Sequence, residues 1–189
     1  MIDEITAREQ VVAAADELFY TRGIQSVGMD EVRTAAGISL KRMYALFPSK
    51  DAIVLEVLGR RRATWNDGLR DAAAGASTPR ERLLGIYDFL SRWFEQDNFR
   101  GCAFINSFGE LGATSPAVAA AARAHKDAFQ DYIATLVRDA GAPDYLAPQL
   151  ALLAEGAQTT AAISGTPDAA SHARAAATTL ITAALPAAA

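Results

Sequence analysis

Apolar residues recur three and four positions apart along almost the whole chain, and no run of alternating β-branched residues interrupts them. At about 3.6 residues per turn, that spacing gathers them into a stripe along one side of a helix. A strand would need alternation instead. Alanine, the least costly helix former, is abundant throughout. The predicted fold class is therefore all-α. With 189 residues, 51% of them hydrophobic, the chain can fill a sizeable core, and wholesale disorder is excluded. A small head with a larger body fits this length.

Local signals mark where the helices begin and end. Thr6-Ala7-Arg8-Glu9 and Thr78-Pro79-Arg80-Glu81 both match a capping box, in which a threonine hydroxyl and a glutamate three residues on satisfy free backbone N–H groups. Pro79 suits a first helical position, where its missing N–H has no helical partner anyway. Ser115-Pro116 and Thr166-Pro167 repeat the cap-plus-proline signal, while Gly23, Gly37, Gly141 and Gly165 are placed as stops. The predicted helices cover 7–22, 29–36, 40–46, 50–73, 80–96, 102–111, 116–140, 146–164 and 168–184.

Composition removes several function classes. The formal net charge is −4, so the whole protein is not a polycation that coats nucleic acid, and any such contact must come from a local patch. The single cysteine, Cys102, cannot form an intrachain disulfide. The opening MIDEITAREQ is charged and acidic, unlike a secretory signal, and no stretch of about 18 apolar residues appears. The expectation is a cytoplasmic protein with no membrane partner. Two histidines and one cysteine are present, without a C-x-x-C, H-E-x-x-H, G-x-S-x-G or phosphate-loop motif. No enzymatic activity, cofactor or metal site is expected.

The first fifty residues carry the functional signal. Val11, Val12, Ala15, Leu18 and Phe19 form an apolar face on the first helix, and Met29, Val32 and Ala36 form one on the second. Gly37 can take the positive φ of a tight turn. Ile38 plugs the corner, and Ser39 is a good N-cap for the third helix. On that helix Met43, Leu46 and Phe47 fall together, Lys41 and Ala45 point the other way, and Arg42 and Tyr44 lie on the flanks. A groove-reading helix needs this division between an apolar back and a polar front with flanking donors for the phosphates. From Val32 to Lys50 the charges are Arg33, Lys41, Arg42 and Lys50 with no acid, a local +4 patch in an acidic chain.

Residues 6–58 resemble the DNA-binding head of the tetracycline-repressor-type (TetR) family. The resemblance lies in A-A-x-x-L-F at 14–19, Gly23, D-E-V-R-T-A-A-G-I-S at 30–39 and M-Y-A-L-F-P-S-K-D-A-I at 43–53. It implies a three-helix helix-turn-helix domain over 1–48 and an effector-binding and dimerisation domain over 49–189. It further implies that Tyr44 and Lys50 contact phosphates and that residues around Ser39 to Tyr44 enter the major groove. A helix N-terminus at Lys50 would favour phosphate as well. The family's hydroxyl near the start of the second helix is replaced by Gly28 or Met29, with Ser26 as the substitute donor. Leu40 stands where a small residue is usual, and either touches a thymine methyl or packs on the first helix. The candidate DNA-binding set is Ser26, Arg33, Ser39, Leu40, Lys41, Arg42, Tyr44 and Lys50.

The body is rich in aromatic side chains. Leu83, Leu84, Ile86, Tyr87, Phe89, Leu90, Trp93 and Phe94 surround one helix nearly completely, as in a central buried helix. Phe104, Ile105, Phe108 and Leu111 share a face of the next, and Val118, Ala122, His125, Phe129, Tyr132 and Leu136 share a face of the one after. Either an aromatic-lined cavity or a solid core accounts for this content. The family resemblance implies an effector site, with Trp65, Tyr87, Trp93, Phe104, Phe108 and His125 as candidate lining and Asn106 and Glu110 as polar anchors. The last two helices are rich in Ala, Thr and Gly, which permits close helix approach either between two chains or within one. The reading is a homodimer paired through the last two helices, a repressor released from a palindromic double-stranded DNA operator by a small apolar effector. The alternative is a ligand-independent or architectural DNA-binding regulator whose body only dimerises or binds a protein.

Overall fold

A computed structural model describes residues 3–185. Among the described residues the chain forms nine helices and no strand: α1 (Glu4–Arg22), α2 (Met29–Ala35), α3 (Leu40–Leu46), α4 (Lys50–Ala74), α5 (Pro79–Phe94), α6 (Ala103–Leu111), α7 (Pro116–Asp139), α8 (Leu146–Ser164) and α9 (Asp168–Ala184). None of them is long and apolar enough to cross a membrane.

Most boundaries follow from local chemistry. Thr78 and Glu81 form the expected capping box at α5, with Glu81 N–H on the Thr78 hydroxyl at 3.2 Å and Thr78 N–H on the Glu81 carboxylate at 3.1 Å. The start of α1 differs. Its cap is Asp3, not Thr6, because the Asp3 carboxylate takes the Thr6 N–H at 2.9 Å and the Thr6 hydroxyl at 2.9 Å. A carboxylate at a helix N-terminus also faces the positive end of the helix dipole. At α9 the cap position falls on Pro167, and no side chain caps it, so the Thr166 signal is not realised. Gly37, Gly141 and Gly165 all take positive φ at helix ends, as anticipated.

The chain divides into two compact units, the first of Met1–Ala63 with Ala103–Ala124 and the second of Thr64–Cys102 with His125–Ala189. Residues 1–48, proposed as the DNA-binding domain, lie inside the first unit, which also takes in the first half of α4, all of α6 and the first part of α7.

In the first unit, Ala7, Val11, Ala15 and Phe19 bury one face of α1, joined by Val32, Met43, Phe47, Ile53 and Val54. Val12 and Leu18 are only half-buried. Gly37 turns the chain at φ 67°, and Ile38, buried, donates its N–H to the Arg33 carbonyl at 3.1 Å. That bond closes the end of α2 and fixes the corner from which α3 leaves.

In the second unit, α5, α8 and α9 pack against one another around Leu83, Ile86, Tyr87, Leu90, Leu146, Leu150 and Ile181. The Tyr87 hydroxyl donates to the Leu150 carbonyl at 2.8 Å, which satisfies its one polar atom in a dry interior. Gly85 lets α5 approach α4, since a Cβ there would stand 3.0 Å from the Ala72 carbonyl oxygen. Ala154, Ala157, Ala161, Ala170, Ala173 and Ala177 are buried within the same chain. Small side chains thus bring α8 and α9 together internally, one of the two roles their composition allows.

Candidate nucleic-acid interface

Helix α3 presents the division its sequence predicts. Met43 and Phe47 are buried, Leu46 is half-buried, and Ser39, Leu40, Lys41, Tyr44 and Ala45 are exposed. Leu40 and Tyr44 are 40% and 48% exposed and leave an amphipathic surface around Lys41. The Ser39 hydroxyl accepts the Arg42 N–H at 3.2 Å, capping α3 as anticipated. Ser49 does the same for α4, accepting the Ala52 N–H at 3.2 Å.

The remaining candidates are engaged with their own chain. The Ser26 hydroxyl donates to the Arg22 carbonyl at 2.6 Å. Arg33 pairs with Asp30 at 2.7 Å. Arg42 donates to the Asp3 carbonyl at 2.9 Å, and Lys50 donates to the Ile24 carbonyl at 2.5 Å. The +4 window is thus partly neutralised from just outside its edge, because Asp30 lies two residues before Val32. Burial lowers the Lys50 pKa, with the Glu110, Asp51 and Glu31 carboxylates acting in the opposite direction.

A supporting residue escaped sequence reasoning. Arg8 donates to the Leu46 carbonyl at 2.9 Å, pairs with Glu56 at 2.5 Å and lies 4.4 Å from the centre of the Phe47 ring. It braces the C-terminal end of α3 from α1. Its partners lie 38 and 48 positions away, beyond the reach of any local pattern.

The six candidate effector residues do not form one set. Trp65, Tyr87, Trp93 and His125 belong to the second unit, Phe104 and Phe108 to the first. In the second unit Trp65 is the hub of an aromatic cluster, with ring centres 5.6 Å from Trp93, 5.8 Å from His125, 5.2 Å from Phe89 and 5.3 Å from Phe129, all edge-on. Edge-to-face geometry aims positive ring edges at negative faces. Phe89 and Phe129, read as ordinary stripe residues, complete this cluster, and Gly68 leaves room for the Phe89 ring. Tyr87 is fully buried, and burial pushes its phenol pKa up, as fits a core residue. Phe104 is buried, whereas Phe108 is 46% exposed with the Arg123 guanidinium 5.9 Å from its ring centre. Phe108 therefore does not belong to an enclosed lining. Among the described residues no group of three or more His, Cys, Asp or Glu is placed to hold a metal ion.

Comparison with known proteins matches this arrangement at both ends of the chain. Residues 11–57 match the model of the bacterial regulatory proteins of the tetR family, and residues 79–177 match the tetracyclin repressor-like C-terminal domain. The chain is 32% identical to the HTH-type transcriptional activator FasR of Mycolicibacterium smegmatis over 77% of its own length and 65% of that protein. It is 26% identical to the HTH-type transcriptional repressor NemR of Escherichia coli over 57% of its length and 55% of NemR. The matches thus span less than two thirds of either relative. A TetR-family regulator from Streptomyces coelicolor shares the fold, with a TM-score of 0.89, 23% identity and coverage of 96% of this chain and 97% of that one. With family models matching the helix-turn-helix head and over half of the chain beyond it, the protein belongs to the TetR family of DNA-binding transcriptional regulators.

Proposed function

We propose that the protein is a homodimeric repressor that a small apolar ligand releases from a palindromic operator. The exposed surface of α3 carries this reading: Leu40, Lys41 and Tyr44 stand clear of the core on a helix whose back is locked by Met43 and Phe47. Lys41 and Leu40 meet base edges, while Tyr44, Lys50, Arg42, Arg33, Ser39 and Ser26 meet or position phosphates. Lys50 has three donor hydrogens and uses one on Ile24, so it can serve both partners.

The ligand reading draws on the aromatic cluster around Trp65. Phe89 and Trp93 pack at its margin and are only partly buried, so an apolar molecule would enter beside them. Pairing of two chains draws on α8, where Leu152 and Ile163 are 72% and 83% exposed on a stripe shared with Gln149, Gly156 and Thr160, all uncharged. Two heads related by a two-fold axis would read a two-fold-symmetric site. Among the relatives, FasR is named an activator and NemR a repressor.

The test is titration of an operator duplex, enriched from randomised DNA by the protein itself, with and without a ligand found by thermal shift against apolar metabolites. Release requires the ligand to prefer the DNA-incompetent form, and a coupling of about 1–3 kcal/mol weakens operator binding roughly 5–150-fold. Trp93→Ala should abolish the shift while leaving ligand-free DNA binding intact. A ligand that tightens binding reverses the sign. A bound ligand with no effect on affinity returns the reading to a ligand-independent regulator.

A further inference from the structure

The turn between α1 and α2 is held from outside the helix-turn-helix segment. Glu110, on α6, lies in the same compact unit as α1 to α3 but 86 residues along the chain from Ile24. Its carboxylate accepts two consecutive backbone N–H groups, one oxygen taking Ile24 at 3.0 Å and the other Gln25 at 2.8 Å. A third bond returns, as the Gln25 side-chain amide donates to the Glu110 carbonyl at 2.5 Å. The turn is shaped to receive this group. Gly23 sits at φ 85°, and a Cβ there would come within 3.3 Å of the Glu110 carboxylate. On its carbonyl side the turn is held by Lys50, which donates to Ile24. Ile24 is thus held from both sides of its backbone, by an anion on its N–H and a cation on its C=O.

We propose that Glu110 is a positioning residue for DNA binding: it fixes the α1–α2 turn, and through it the Lys50 ammonium and the start of α2, in the arrangement that meets the phosphate backbone. Three observations converge on it. The two bonds to the carboxylate are charge-assisted, so they are stronger than amide–carbonyl pairs. They satisfy N–H groups just past the end of α1, where no helical acceptor remains. They also tie to the head a helix that lies outside the segment matched to the DNA-binding family model, which ends at residue 57. The inference rests on DNA binding by the head alone and is independent of ligand and dimer.

The experiment compares full-length wild type, Glu110→Gln and Gln25→Ala on the enriched operator duplex, with amide hydrogen exchange followed in parallel. Glu110→Gln keeps one acceptor and sets an NH2 against the other N–H. Operator affinity should fall about tenfold, the scale of one lost hydrogen bond to a charged group. Exchange at Ile24 and Gln25 should accelerate while α5, α8 and α9 stay protected. In a Lys50→Met background the effect of Glu110→Gln should shrink, because both groups act through Ile24. Gln25→Ala, at an exposed position, removes only the third bond and should weaken binding by a smaller factor, which keeps the idea testable if Glu110→Gln folds poorly. Wild-type affinity in folded Glu110→Gln overturns the proposal. So does acceleration of exchange across α5, α8 and α9 in step with the loss of affinity, which would mark Glu110 as a general stabiliser. Strict additivity with Lys50→Met likewise overturns the route through Ile24.

Discussion

The Lys50 ammonium, at the first position of α4, donates to the Ile24 carbonyl at 2.5 Å across 26 residues of chain. The same group is the expected phosphate contact, so one cation would both hold the turn and meet DNA. Burial lowers its pKa more than the neighbouring carboxylates raise it, so the folded head does not favour the charge.

Lys50→Met should therefore separate stability from binding. Calorimetry should show a melting temperature at or modestly below wild type, because methionine keeps the apolar stem near Phe19 and removes a partly desolvated charge but leaves the Ile24 carbonyl without its cation. Affinity should fall for every DNA sequence alike, and the salt slope should drop by about 0.9 as one phosphate contact disappears. Lys41→Ala should behave differently. Lys41 is exposed on α3, and its loss should alter which bases are preferred by about 1–3 kcal/mol per contact removed. An unchanged salt slope in Lys50→Met would mean that Lys50 holds the turn and never reaches a phosphate.

Much of this architecture is legible in the sequence because its signals are local. The bounds of α3, α8 and α9 match the predicted spans, since prolines, glycine stops and three-and-four spacing act within a few residues. The cap at α1 lies three positions before Thr6, because two acceptors, Asp3 and Thr6, stand one turn apart and the carboxylate takes the amide. The site was less legible. Arg33 is paired by Asp30, which lies just before the acid-free stretch from Val32 to Lys50. The bonds from Arg8, Lys50 and Glu110 span 26 to 86 positions, and nothing periodic announces them. For Ala161 and Ala177, small size permits close packing but does not say against what. The structure places both in the chain's own interior.

Acid should loosen the head at two exposed carboxylates. Glu31 has a lowered pKa, chiefly through the Gly28 N–H and then Arg22, with which it pairs at 2.8 Å. Asp3 is lowered chiefly by the Thr6 N–H it caps. A depressed carboxylate pKa means that the stabilisation is present above the ordinary carboxylate range and is lost as pH falls through the folded value. Glu31→Gln should thus melt below wild type near neutral pH, and the two curves should converge as pH drops below about 4. A constant gap across that range would show that the carboxylate charge is not what stabilises the start of α2.

The outer face of α8 offers the sharpest test of pairing. Leu152 and Ile163 lie on a stripe with Gln149, Gly156 and Thr160, and the glycine leaves room for a second helix to approach closely. Leaving two large aliphatic side chains in water forgoes about 1.5–3 kcal/mol each relative to burial, a motive for a second copy to cover them. Leu152→Glu and Ile163→Glu should give folded monomers in analytical ultracentrifugation, with melting that no longer depends on protein concentration. Ala161→Glu and Ala177→Glu should instead unfold the second unit, because each forces a charge into a filled interior without a partner. The two outcomes differ in kind, one a loss of mass at constant helicity and the other a loss of helicity itself. If Leu152→Glu and Ile163→Glu both remain dimeric and folded, α8 does not carry the interface, and the exposed pair marks a surface for some other partner.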